Sequence, residues 1–156
     1  MMVGRELGER FPSRTSSIGD VIFEVENLKQ KDWSKNISFQ VKAGEILAVA
    51  GLMGAGRTEL VEAIFGYRKK TSGTIRLNGQ VLTIRHPRDA VDAGIGFVTE
   101  DRKDKGLVLD ASIRENISLT NMKSISKKGV ISPTSEHRFV EKLFKRLHIR
   151  ATGIEQ

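Results

Sequence analysis

From Val21 to Leu28 the chain reads VIFEVENL, apolar and polar residues in near alternation, the period-two pattern of a strand with one buried face. The pattern returns at 36–41 (NISFQV) after a polar connection, which predicts an antiparallel partner. Residues 44–50 (GEILAVA) lose the alternation. A nearly continuous apolar run suits a strand buried on both faces, as in a parallel sheet covered by helices. At 58–65 (TELVEAIF) the spacing changes to that of a helix, with Leu60, Val61, Ile64 and Phe65 on one face and Gly66 placed to end it in a left-handed conformation.

Beyond the helix, TIRLNGQVLTI predicts a hairpin turning at Asn78-Gly79, a pair that tolerates positive φ. A short helix is expected over 87–94, opened by Pro87 and closed by Gly94, followed by a buried strand at 95–99 (IGFVT). Ser112 and Glu115 have the spacing of a capping box, so a helix should begin near Ile113. A last helix starts near Pro133 or Thr134 and carries the apolar stripe Phe139, Val140, Leu143, Phe144 and Leu147. The sum is an α/β chain with an antiparallel β portion. Residues 1–19, mixed Gly, Ser, Arg and Pro with little periodic hydrophobicity, read as a linker, and residues 20–156 as the domain.

Composition narrows the function classes. There is no cysteine, which removes disulfide frameworks and thiolate metal sites. No apolar run approaches the roughly 20 residues that cross a bilayer, and the N-terminal residues carry charge where a signal peptide needs its apolar stretch. Any link to a membrane is therefore expected to run through a partner. A net charge of +7 raises nucleic-acid binding as a reading. Against it, Lys and Arg are spread along the chain, and one Trp, one Tyr and seven Phe provide no aromatic platform interleaved with the charge.

Residues 51–58, GLMGAGRT, carry the chemistry. They fit the phosphate-binding template G-x-x-x-x-G-K-[ST] at every defined position except the lysine, which is Arg57. Gly51, Gly54 and Gly56, with Ala55 between, let successive backbone N–H groups turn toward phosphate oxygens, and the following helix adds its positive end. Thr58 can offer its hydroxyl to a magnesium ion. Glu59 follows in the first turn. A guanidinium is wider than an ammonium and engages two oxygens at once, so Arg57 is expected to hold nucleotide while positioning a terminal phosphate poorly. An empty glycine turn between strand and helix is the competing structural reading.

Taken together, GEILAVAGLMGAGRTEL, SGTIRLNG and GFVTEDRKDKGLVLDASIRENISL resemble the second, degenerate nucleotide-binding cassette of the ribose and galactose type ABC importer ATPases. The resemblance implies a P-loop NTPase core with an antiparallel β subdomain, and ATP and Mg2+ as cofactors. It places Gly51, Gly54, Gly56, Arg57 and Thr58 on the Walker A positions. It puts Glu100 where the family's Q-loop glutamine stands, a carboxylate that can still ligate magnesium; a surface ion pair with Arg102 is the alternative. The family often stacks adenine on an aromatic residue, and Trp33 is the aromatic in the corresponding stretch; half-buried packing is its other reading. The resemblance further implies that residues 101–112 lie near membrane-spanning permease subunits, that a first cassette precedes on the same polypeptide, and that a sugar-binding protein acts indirectly. The setting it implies is the cytoplasmic face of a bacterial membrane, with ribose slightly preferred over galactose.

The family's LSGGNQQ signature, Walker B carboxylates and switch histidine do not occur among these residues. His86, His137 and His148 have no triad or ligand spacing and are expected to be solvated. The sequence alone therefore predicts the N-terminal part of a cassette that does not hydrolyse ATP by itself. A regulatory or structural nucleotide-binding module without turnover is the alternative.

Overall fold

The computed structural model describes residues 17–31 and 33–156, so most of the segment read as a linker lies outside the described residues. The chain divides into two compact units, one ending at Phe97 and the other spanning Val98–Gln156.

The first unit is built on a four-stranded antiparallel sheet in the order β2-β1-β3-β4. Its strands are β1 (Val21–Lys29), β2 (Ile37–Lys42), β3 (Ser72–Leu77) and β4 (Gln80–Val81). β1 pairs with β2 through Phe23 opposite Val41 and Val25 opposite Phe39, and with β3 through Val25 opposite Ile75. The expected antiparallel pair and the hairpin both form, and Asn78 (φ 51°) and Gly79 (φ 75°) take the positive φ values of the tight turn. β1 is irregular between Glu26 and Lys29, with Asn27 at φ 49° and its N–H donating to the Ser38 hydroxyl at 2.8 Å. That bulge brings the β1 backbone against Gly73, where a Cβ would lie 2.5 Å from the Leu28 Cα and 2.7 Å from the Asn27 oxygen. Only glycine fits there.

Helix α1 (Arg57–Ile64) and the short α2 (Pro87–Asp92) complete this unit. Leu60, Ala63 and Ile64 of α1 join Val25, Leu28, Ile75, Ile84 and Ala90 in one buried cluster, with Phe23, Trp33, Ile37, Phe39, Phe65, Leu82 and Ile95 packed around it. Gly66 closes α1 at φ 81°, as its sequence position predicts. Within α2, the Asp89 carboxylate accepts the N–H groups of Arg85 (2.8 Å) and His86 (2.9 Å), and these bonds hold its carboxyl below the usual carboxylate range.

Two expected strands do not form. Residues 45–50 and 95–99 have no ladder partner among the described residues. Ile46 (83%) and Val98 (94%) are exposed, while Ile95 packs against the core cluster and Phe97 lies against Phe65, with ring centroids 5.3 Å apart. The reason is physical. A strand buried on both faces is stabilised only when neighbouring strands satisfy its backbone on both edges and helices cover it, and these runs have neither among the described residues, whereas β1–β2 and β3–β4 pair across short connections.

The second unit opens with a π-helical turn (Arg102–Gly106) and continues through α3 (Ile113–Leu119), α4 (Met122–Ile125), the hairpin of β5 (Ser126–Lys127) and β6 (Val130–Ile131), and α5 (Pro133–Arg146). The α3 N-terminus shows how this unit satisfies its exposed donors. Glu115 N–H donates to the Ser112 hydroxyl (3.2 Å), while the Ser112 N–H and hydroxyl donate to the Glu115 carboxylate (2.8 and 2.9 Å). That is the capping box read from sequence. The N–H groups of Ile113 and Arg114 donate instead to the carbonyls of Gln156 (2.9 Å) and Ile154 (2.8 Å), so the C-terminal turn caps the helix as well. Arg114 ties the same turn to α5, donating to Glu155 (2.8 Å) and Glu136 (3.0 Å). On α5, Val140 is buried and Phe139, Leu143 and Phe144 are partly buried as the stripe predicts, while Leu147 is 65% exposed at the helix end.

Candidate functional site

The glycine loop lies in the first unit. Ala55 N–H donates to the Leu52 carbonyl at 3.0 Å, closing a turn, and Gly56 then enters α1 as its N-cap residue at φ 82°, ψ 17°. Gly54 stands at φ 79° with open space where a side chain would be. A glycine at the N-cap offers no side-chain oxygen to the first-turn donors, unlike the Ser112 cap of α3, so an exogenous anion fits this end of α1. The loop is exposed, with Met53 wholly so.

The loop is also folded on itself. A Cβ at Gly51 would lie 2.9 Å from the Ala55 Cβ and 3.5 Å from the Arg57 Cδ, so the stem of Arg57 lies back over Gly51. A Cβ at Gly56 would lie 3.8 Å from the Trp33 indole nitrogen. Gly51, Ala55, Gly56, Arg57 and Trp33 are therefore brought together, with Thr58 and Glu59 following in the first turn of α1. Trp33 is half-buried and packs against the core cluster, which satisfies the packing reading and still places the indole beside the loop. The helix after the loop forms as the sequence predicts. The buried strand before it does not.

Sequence reasoning missed Glu62. It is 1% exposed on α1, its side chain accepts from the Arg68 guanidinium, and its carbonyl accepts the N–H groups of Tyr67 (2.9 Å) and Arg68 (3.1 Å). The bond to Glu62 holds the Arg68 guanidinium above its ordinary pKa. The signal was present in outline, a carboxylate between Val61 and Ala63 on an otherwise apolar turn with a cation just past the helix.

Glu100 lies in the second unit, exposed, just before the π-helical turn. Asp101 accepts the Asp104 N–H at 3.0 Å and donates its own N–H to the Thr99 hydroxyl at 3.1 Å. After the turn, Leu107, Val108 and Leu109 are all more than half exposed, and the Asn116 side chain bonds the backbone of this loop. His86, His137 and His148 are exposed, as expected. Among the described residues no group of three or more His, Cys, Asp or Glu could hold a metal ion.

The sequence profile of the ABC transporter family matches residues 34–154. The chain belongs to the ABC transporter family. It is similar over its whole length to the ribose import ATP-binding protein RbsA of Bacillus cereus (strain ATCC 14579), with 54% identity covering 100% of this chain and 32% of the relative. The RbsA proteins of Halalkalibacterium halodurans (53% identity, 100% of this chain, 31% of the relative) and Bacillus subtilis strain 168 (51%, 99% and 31%) are similarly related. The chain thus spans about a third of the length of the curated relatives it matches. Membership agrees with the antiparallel β portion and the glycine loop feeding a helix. Among the described residues no helix is long and apolar enough to cross a membrane.

Proposed function

We propose that this ABC cassette segment binds ATP with Mg2+ at residues 51–58 and serves the ATP-binding subunit of a bacterial ribose-type sugar importer. The observation that carries the reading is a GLMGAGRT loop that ends in a left-handed Gly56 at the start of α1, in a chain 54% identical to an RbsA protein along its full length. The backbone N–H groups of residues 54–58 would hold the phosphates, Arg57 would add a planar cation, and Thr58 would supply an oxygen to magnesium. Bound magnesium would neutralise phosphate charge. Trp33, beside Gly56, is the candidate for stacking on the base. The partners in this reading are membrane-spanning permease subunits meeting residues 101–112, a first cassette on the same polypeptide and, indirectly, a sugar-binding protein, all at the cytoplasmic face of the membrane.

Calorimetric titration of Mg-ATP into the purified chain tests the binding step. Saturable binding that disappears in both Thr58→Ala and Gly56→Asp is expected; binding that survives both would remove the loop from the site. A second reading, a nucleotide sensor without turnover, is favoured by Arg57, whose stem folds back over Gly51. In the complete transporter Arg57→Lys should then raise hydrolysis, and equal rates in the two proteins would count against it.

A further inference from the structure

We infer that Gln30 determines base specificity at the nucleotide site: its side-chain amide reads the edge of a purine stacked on Trp33, accepting from the 6-amino group and donating to the ring nitrogen beside it, so that adenine is selected. This rests on the reading that residues 51–58 hold a nucleotide with Trp33 against its base, and adds which side chain recognises that base.

The starting observation is an unused amide. Gln30, Glu62, Ser118 and Glu136 are the buried polar or charged side chains among the described residues. Glu62 and Glu136 are paired with Arg68 and Arg114, and Ser118 lies in the second unit, away from the glycine loop in sequence and in fold. Gln30 is 8% exposed, and among the described residues its side-chain amide makes no hydrogen bond. An amide offers two donor hydrogens and an acceptor oxygen, and leaving them unused in a buried place costs stability. A ligand that completes the set accounts for keeping it.

The amide stands beside the surface proposed for the base. Leu28 and Gln30, two positions apart at the end of β1, are both buried, and Leu28 shares its cluster with Leu60, Ala63 and Ile64 of α1. The period of two in an extended chain returns Gln30 to the face that α1 covers. The Gln30 carbonyl accepts the Trp33 N–H at 3.3 Å, closing a turn whose two ends lie within about 7 Å at Cα. At the far end of that turn the Trp33 indole nitrogen is 3.8 Å from the Cβ position of Gly56, the N-cap of α1. One turn therefore brings a flat aromatic surface and an unused amide to the start of the helix that follows the phosphate loop. Stacking on an indole accepts any base, because every base has a π-face. A donor and acceptor side by side do not: a glutamine amide matches adenine, whose 6-amino donor adjoins a ring-nitrogen acceptor.

Calorimetry on the purified chain tests this by comparing Mg-ATP with the magnesium complex of purine riboside triphosphate, which lacks only the 6-amino group. The wild type should bind ATP about tenfold more tightly, since a site built to bond a group disfavours the analogue without it. In Gln30→Met, similar in length but without the amide, the two affinities should agree within about twofold. The same variant should unfold at a higher urea concentration than the wild type, because it removes a buried polar group that the free fold leaves unpaired. An amide kept for the fold alone would give the opposite shift. Quenching of Trp33, the one tryptophan of the chain, reads the stacking independently with either nucleotide. An ATP preference that persists in Gln30→Met, or a Gln30→Met that is less stable than the wild type, would overturn the inference. A wild type that binds both nucleotides equally, with Trp33 quenched, sinks the role of Gln30 and leaves the nucleotide site standing. Binding of neither nucleotide sinks the nucleotide reading, and this inference with it.

Discussion

Gly51→Ala isolates the internal packing of the glycine loop from its backbone conformation. Unlike Gly54 and Gly56, Gly51 does not have a positive φ, so alanine is free of that strain. Its new methyl would instead meet the Ala55 Cβ at 2.9 Å, a contact too short to persist, with the Arg57 Cδ and Cγ next at 3.5 and 3.6 Å, which are ordinary distances. The loop must therefore open between residues 51 and 55, and overpacking of this kind costs about 1–3 kcal/mol. If the phosphate-binding conformation bears that cost, Mg-ATP affinity falls by about 5- to 140-fold, at 1.4 kcal/mol for each factor of ten. The offending atom is a single methyl, so Ala55→Gly should restore binding to Gly51→Ala, short of about 0.5–1 kcal/mol for the added chain freedom of a second glycine. Calorimetry on the wild type, both single variants and the double variant completes the cycle. Wild-type affinity in Gly51→Ala, or a double variant no better than Gly51→Ala, would refute the loop geometry on which the nucleotide reading depends.

Two further expectations concern stability. Gly73→Ala adds strain at φ 101° of about 1–2 kcal/mol to a backbone collision with Leu28 and Asn27 worth about 1–3 kcal/mol more. It should therefore destabilise by about 2–5 kcal/mol in urea denaturation, whereas Gly79→Ala, with a positive φ but nothing within 4 Å, should cost only the strain; equal losses would show that the bulge contact is not tight. The second expectation is a pH dependence. The Glu115 carboxyl is held below its ordinary range, first by the Ser112 N–H and then by its hydroxyl, and the Asp89 carboxyl by the N–H groups of Arg85 and His86. A carboxyl with a lowered pKa stabilises the fold above its unfolded value, about 4, and that stability is lost as pH falls through this value toward the folded one. Glu115→Gln and Asp89→Asn should each flatten the acid limb of stability against pH, and curves that stay parallel to the wild type below about pH 5 would contradict this assignment.

Where a local rule fixes an element, the sequence was sufficient. Asn78-Gly79 at a hairpin, Pro87 and Gly94 around a short helix, Ser112 and Glu115 at the start of α3, and the alternation of β1 and β2 each need only neighbouring residues to act, and each forms. The glycine loop was legible for the same reason, since a left-handed residue before a helix is a local requirement. The apolar runs at 45–50 and 95–99 were misread because a doubly buried strand is a property of its neighbours, which local pattern cannot supply. Tertiary structure alone decided that Glu62 is buried against Arg68, that the stem of Arg57 lies over Gly51, that Trp33 stands beside Gly56, and that Asn116 clamps the loop from 108 to 112. Each of these is a meeting of groups separated along the chain, set by how helix and loop fold back. Hydrophobic periodicity carries no record of such a meeting.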